Sequence, residues 1–157
     1  MKPTTLTPLQ QEHRALQERL LLAARTRGEL GAAAETLVRL VHPHFRKEDR
    51  IALPPLGVLF DAAHSPAPVQ SPEIGALLGR LEIELPVMIE EHKAIFAALS
   101  RLRSAALQTG NRETIHLVRQ LVRQARAEEE HVYPAAEMAM RHARQLMGEY
   151  ASRGVTG

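Results

Sequence analysis

A chain of 157 residues with 45% apolar and 24% charged side chains has the make-up of one ordinary domain with a real core. Twenty basic against eighteen acidic residues leave a net charge of +2, and no basic cluster interleaved with aromatics marks a nucleic-acid binder. Cysteine is absent, which removes disulfides, thiolate nucleophiles and Cys-based metal sites, so any metal must be held by carboxylates and the eight histidines.

Ala, Leu, Glu, Arg and Gln dominate and β-branched runs are scarce, which predicts an all-helical fold. Met1-Lys2-Pro3-Thr4 carries no hydrophobic signal core, and no apolar run reaches the roughly 18 residues of a membrane span, so a cytoplasmic protein with no membrane contact is expected.

Thr7-Pro8 opens the first predicted helix, with Thr as cap and Pro in the first turn, and Gly28 and Gly31 close it after about Arg27. Its buried stripe is Leu6, Leu9, His13, Leu16 and Leu20. The second helix is expected from about Ala32 to Ala52, bent at Pro43 and stopped by Pro54-Pro55. Leu37, Val41, His44, Glu48 and Ile51 follow its 3-4 spacing, so an imidazole and a carboxylate one turn apart share an otherwise apolar face. Leu56–Ala63 is expected to add a helical turn or two, and His64–Ser71, with Pro66 and Pro68, is the one long loop.

Ser71-Pro72-Glu73 begins the third helix, kinked at Pro86 and ended by Gly110. Leu78, Leu81, Leu85, Met88, His92, Ile95 or Phe96, Leu99 and Leu102 make a seam interrupted by one histidine. Asn111 caps the fourth helix, whose stripe is Leu117, Leu121, Gln124, Glu128, His131 and Ala135, with a bend at Pro134. The helix runs to about Tyr150, and Ala151–Gly157 reads as a frayed tail.

Four such helices predict an up-down-up-down antiparallel bundle, one domain over 1–157 with its core at about 7–150. His92 stands 18 residues before Gly110 and Glu128 stands 18 after it. His13 lies about as far before the Gly28–Gly31 turn as His44 and Glu48 lie after it. At about 1.5 Å per residue, all five reach one level within a turn. A lone histidine in an apolar stripe is more often a hydrogen-bonded core residue than a ligand. Three of them with two carboxylates at one depth reverse that, because burying them is costly unless they are paired or bind metal.

These residues resemble the hemerythrin-like, or HHE cation-binding, domain: a lone His on the first helix, His-x-x-x-Glu on the second, a lone His on the third and His-x-x-x-Glu on the fourth. The segments EHRAL (12–16), HPHFRKEDRIALPPL (42–56), EEHKAI (90–95) and EEEHVYPAAE (128–137) carry the likeness, and each Glu precedes a proline by six residues, Glu48 to Pro54 and Glu128 to Pro134. The chain departs from the pattern at Gln124, where the family has its fourth-helix histidine. His131 lies seven residues on, nearly on the same face, at the Glu-x-x-His spacing of other di-iron bundles. It is the candidate replacement, or else an ordinary half-buried histidine; Gln124 is then a weak ligand, a hydrogen bonder, or a gap that leaves an open position.

The resemblance implies a hemerythrin-like bundle with two iron ions, oxo or hydroxo bridged, held by His13, His44, Glu48, His92 and Glu128; the spacing on the fourth helix adds His131 as a candidate ligand, with Gln124 and Tyr133 as candidate supporting residues. Manganese and zinc also suit such donors. The expected small ligands are O2, peroxide or nitric oxide, in a redox enzyme or sensor acting as a monomer or small homo-oligomer. The alternatives are an iron-responsive binding module without turnover and a di-iron oxygenase for a small organic substrate, with the 64–72 loop as its lid. His42, His64, His116 and His142 are expected at the surface, Glu90, Glu91, Glu129 and Glu130 on solvated faces, and Phe45 beside the site.

Overall fold

The computed structural model describes residues 7–57 and 72–153, so most of the expected short helical piece and the whole loop at His64–Ser71 lie outside the described residues. Within them the chain is all-helical, with no strand: α1 (Thr7–Ala24), α2 (Glu29–Lys47), α3 (Pro72–Gln108), α4 (Arg112–Ala127) and α5 (Tyr133–Arg153). Two five-residue π-helical turns, Glu48–Ala52 and Glu128–Val132, follow α2 and α4, so α4 and α5 form one continuous run. Helix α1 packs on α2, α2 on α3, α3 on α4 and α4 back on α1, closing a helical bundle. No helix among the described residues is long and apolar enough to cross a membrane.

The first connection is tighter than the spacing predicts. Helix α1 stops at Ala24, not Arg27, with two i→i−3 bonds, Arg25 N–H to Leu22 O and Thr26 N–H to Ala23 O, both 3.1 Å. Gly28 alone makes the reversal, at φ 83°, and α2 starts at once at Glu29. Gly31 is therefore a helical residue, kept because a Cβ there would sit 1.7 Å from the Thr26 carbonyl oxygen. At the other hairpin Gly110 takes φ 64°, and Asn111 Oδ1 accepts the Thr114 N–H at 3.0 Å. Helices α2 and α3 continue through Pro43 and Pro86. The last helix extends through Arg153, past the expected start of a frayed tail.

Both π turns stand in the same local setting, leading into a proline whose missing N–H and crowding ring disfavour the regular ladder, although Pro43 and Pro86 are carried within α-helix. Ahead of Pro54, the Leu53 N–H reaches five residues back to the Glu48 carbonyl; ahead of Pro134, Tyr133 does the same to Glu128. One extra residue in the turn shifts the helix phase. Leu117, Leu121, Gln124 and Glu128 are buried, and beyond the turn the buried positions are Tyr133, Ala136, Ala139 and Ala143. Regular spacing would have continued through His131 and Ala135.

The apolar core is in two parts. Leu16, Leu20, Leu37, Val41, Leu99, Leu102, Leu117 and Leu121 belong to the larger cluster, toward the two hairpin turns. Ile51, Leu81, Leu85, Met88, Tyr133 and Ala136 form the smaller one. Along every run that spans both clusters, the chain passes from one to the other through a polar residue: His44 and Glu48, His92, or Gln124 and Glu128.

Candidate metal centre

That polar layer gathers His13 from α1, His44 and Glu48 from the second run, His92 from α3, and Glu128 from the fourth run, each 1–3% exposed. One donor atom each from His44, Glu48, His92 and Glu128 lies within 4.8 Å of the other three, so the group can hold a metal ion. His44 Nε2 is 3.4 Å from Glu48 Oε1, and His92 Nε2 is 3.4 Å from Glu128 Oε2. His13 approaches the other oxygens: its Nε2 is 3.6 Å from Glu48 Oε2 and 3.3 Å from Glu128 Oε1. Each carboxylate thus stands between His13 on one side and the His44–His92 pair on the other. Glu48 Oε2 and Glu128 Oε2 are buried without a hydrogen-bond partner.

The histidines are held from behind. His13 Nδ1–H donates to Asp49 at 2.9 Å, His44 Nδ1–H to Glu91 at 2.8 Å, and His92 Nδ1–H to Glu129 at 2.7 Å. A carboxylate on Nδ1 fixes the tautomer and turns the Nε2 lone pair inward, the arrangement found behind metal-ligating histidines. Each of these acids is the sequence neighbour of a residue in the layer: Asp49 of Glu48, Glu91 of His92, Glu129 of Glu128. Lys47 in turn pairs with Glu91 and lies 3.5 Å from Glu84. Burial works against the Glu91 carboxylate, yet Lys47 and His44 hold its pKa below the ordinary value. With both Nδ1 atoms protonated, His44 and His92 bring two Nε2 lone pairs to 2.8 Å, a contact that only a shared cation, proton or metal, makes favourable.

Gln124 and Tyr133 complete the layer. Gln124 Nε2 donates to Glu128 Oε1 at 2.8 Å and lies 3.3 Å from His13 Nε2. The Tyr133 hydroxyl donates to Glu48 Oε1 at 2.5 Å, and its ring stacks on His92 with centroids 5.6 Å apart. Phe45 stacks on His13 at 4.1 Å. His131 is not brought to the layer; it lies exposed on the π turn, because the inserted residue rotates it outward and Tyr133 inward. Glu129 is exposed as expected and Glu91 is half-buried, but both also hold histidines, and Asp49 joins them. Adjacent residues on a helix point about 100° apart. That angle lets one helix supply a ligand and, beside it, an acid that reaches the edge of the neighbouring helix's imidazole. His42, His116 and His142 are exposed, and His64 lies outside the described residues.

The charges oppose one another closely. Burial works to lower the His13 and His44 pKa values. Glu128 beside His13, and Glu48 and Glu91 beside His44, outweigh it and raise both above 6.5. Burial likewise works to raise Glu128, but His13 and His92 hold it well below 4.5. For the metal-free protein the sign follows directly. Stabilisation from His13 and His44 is present below pH 6.5 and is lost as pH rises through their raised values. Stabilisation from Glu128 is present above pH 4.5 and is lost as pH falls toward its depressed one. In chelator the melting temperature is expected to peak between these limits and to decline above neutrality. With metal bound the slope above pH 6.5 reverses, since metal binding requires neutral imidazoles. Thermal melts across pH, with and without chelator, check this. Parallel profiles would contradict metal binding here.

Comparison of the chain with family models, with curated proteins and with solved structures returns no match, so what the site does is argued from its own geometry.

Proposed function

We propose that the protein is a hemerythrin-like up-down-up-down bundle that holds two iron ions. Its small ligand is O2, peroxide or nitric oxide, and it works as a redox enzyme or a sensor. The observation that carries this reading is the placement of the two carboxylates. Glu48 and Glu128 each turn one oxygen toward the His44–His92 pair and the other toward His13, which is how a bridging carboxylate is shared between two cations. A single ion on the His44–His92 side would leave Glu48 Oε2, buried without a hydrogen-bond partner, facing the inward Nε2 of His13 with no cation between them.

Imidazole and carboxylate without thiolate suit iron, manganese or zinc. Three imidazole nitrogens and four carboxylate oxygens make seven donors, too few to saturate two six-coordinate ions, so positions remain for a small ligand. Iron held in this way supplies one-electron redox chemistry and a Lewis-acidic binding position. The protein's own part is to exclude water with the two flanking apolar clusters and to fix the imidazoles through Asp49, Glu91 and Glu129.

Metal analysis and the optical spectrum of protein purified in air test the proposal. The expected result is two irons per chain and a near-ultraviolet band from the bridged pair. Consumption of peroxide or O2 assigns turnover, and ligand binding without consumption assigns sensing. A chain that stays free of transition metal under iron loading overturns the reading.

A further inference from the structure

The layer receives no imidazole from the fourth helical run, since Gln124 is an amide and His131 points away. What that run delivers instead, one π turn beyond Glu128, is the buried phenol of Tyr133. Its oxygen is 2.5 Å from Glu48 Oε1, 3.4 Å from His92 Nε2 and 3.5 Å from His44 Nε2. Donors held about 2.0–2.2 Å from one ion at right angles lie about 3 Å apart. The phenol oxygen keeps such distances to three donors of the group that can hold an ion.

We infer that Tyr133 is itself a ligand, binding through its phenolate oxygen the iron held between His44 and His92. A hydroxyl retained only to satisfy Glu48 would need one partner, yet this one is equidistant from two inward-facing imidazole nitrogens. The π turn belongs to the same device. It is the inserted residue that aims position 133, rather than 132, into the layer, and ladder irregularities of this kind recur at functional sites. On binding, an iron–oxygen bond forms and the hydroxyl proton now directed at Glu48 leaves to solvent. A cation at this distance reverses the preference of a buried phenol for its neutral form. Phenolate adds a third anionic oxygen beside Glu48 and Glu128, which favours the ferric state. The inference deepens the iron reading above and depends on it.

The test is the colour of the ferric protein. A ferric ion bound by phenolate gives a charge-transfer band in the visible, with resonance-Raman modes of the coordinated ring, in addition to the near-ultraviolet band. Wild type is expected to show it, Tyr133→Phe to lose it while retaining iron, and Tyr150→Phe, which alters the chain's other tyrosine, to keep it. If Tyr133→Phe folds poorly, wild-type protein grown with ring-deuterated tyrosine gives the answer, because the Raman modes shift only if the ring is coordinated. Two irons per chain without a visible band overturn the tyrosine ligand and leave the iron pair standing. A visible band that survives in Tyr133→Phe overturns it as well. A chain that takes up no iron overturns both.

Discussion

Glu48→Ala and Glu128→Ala are each expected to leave the chain without firmly held metal, whereas His13→Ala keeps one ion of two. The difference follows from the two-sided placement of the carboxylates. Removing either one takes a donor from both cation positions at once, because Glu48 lies 3.4 Å from His44 and 3.6 Å from His13, and Glu128 lies 3.4 Å from His92 and 3.3 Å from His13. Removing His13 strips the only imidazole from one position and leaves His44, Glu48, His92 and Glu128 together. Metal content after loading and gel filtration is the measurement. One ion per chain in the wild type, unchanged in His13→Ala and lost from the two glutamate variants, would favour a single ion over a pair.

Chelation is expected to lower the melting temperature of the wild-type chain by about 10 °C or more. An ion present at a thousand times its dissociation constant stabilises the folded state by about 4 kcal/mol. In a domain of this size each kcal/mol moves the transition by about 2–4 °C. The metal-free layer also retains two buried carboxylate oxygens without partners and two imidazole nitrogens facing each other at 2.8 Å. Differential scanning calorimetry with iron and with chelator reads the shift, and restoring the metal should restore the higher transition. A melting temperature indifferent to chelation would mean that the layer is satisfied by protons alone.

The burial of His13, His44, Glu48, His92 and Glu128 was legible because each interrupts a long apolar stripe of regular helical spacing, and counting residues from the glycine turns put them at one height. The same regularity misplaced His131. Spacing arguments assume 3.6 residues per turn, and the π turn before Pro134 breaks that assumption at the one place where it mattered. The prolines six residues beyond Glu48 and Glu128 were visible, but they signal a bend as readily as a π turn, and only the backbone bonds from Leu53 and Tyr133 distinguish the two. Asp49, Glu91 and Glu129 were hidden for a different reason. Their partners sit on other helices, and periodicity within one helix says nothing of which neighbour an edge residue will reach. Gly31 was read as part of the turn because a glycine spared for a close backbone approach looks the same in sequence as one spared for a positive φ.

The division of the apolar interior by an ionic plate has its own consequence for how the molecule opens. Leucines on the two sides of that plate do not touch, so without a cation to tie the plate together each end of the bundle holds itself shut on its own grease alone. Among the described residues, the end built on Ile51, Leu81, Leu85, Met88, Tyr133 and Ala136 has the smaller buried apolar cluster. Amide hydrogen exchange in chelator is therefore expected to be faster there than at the hairpin end.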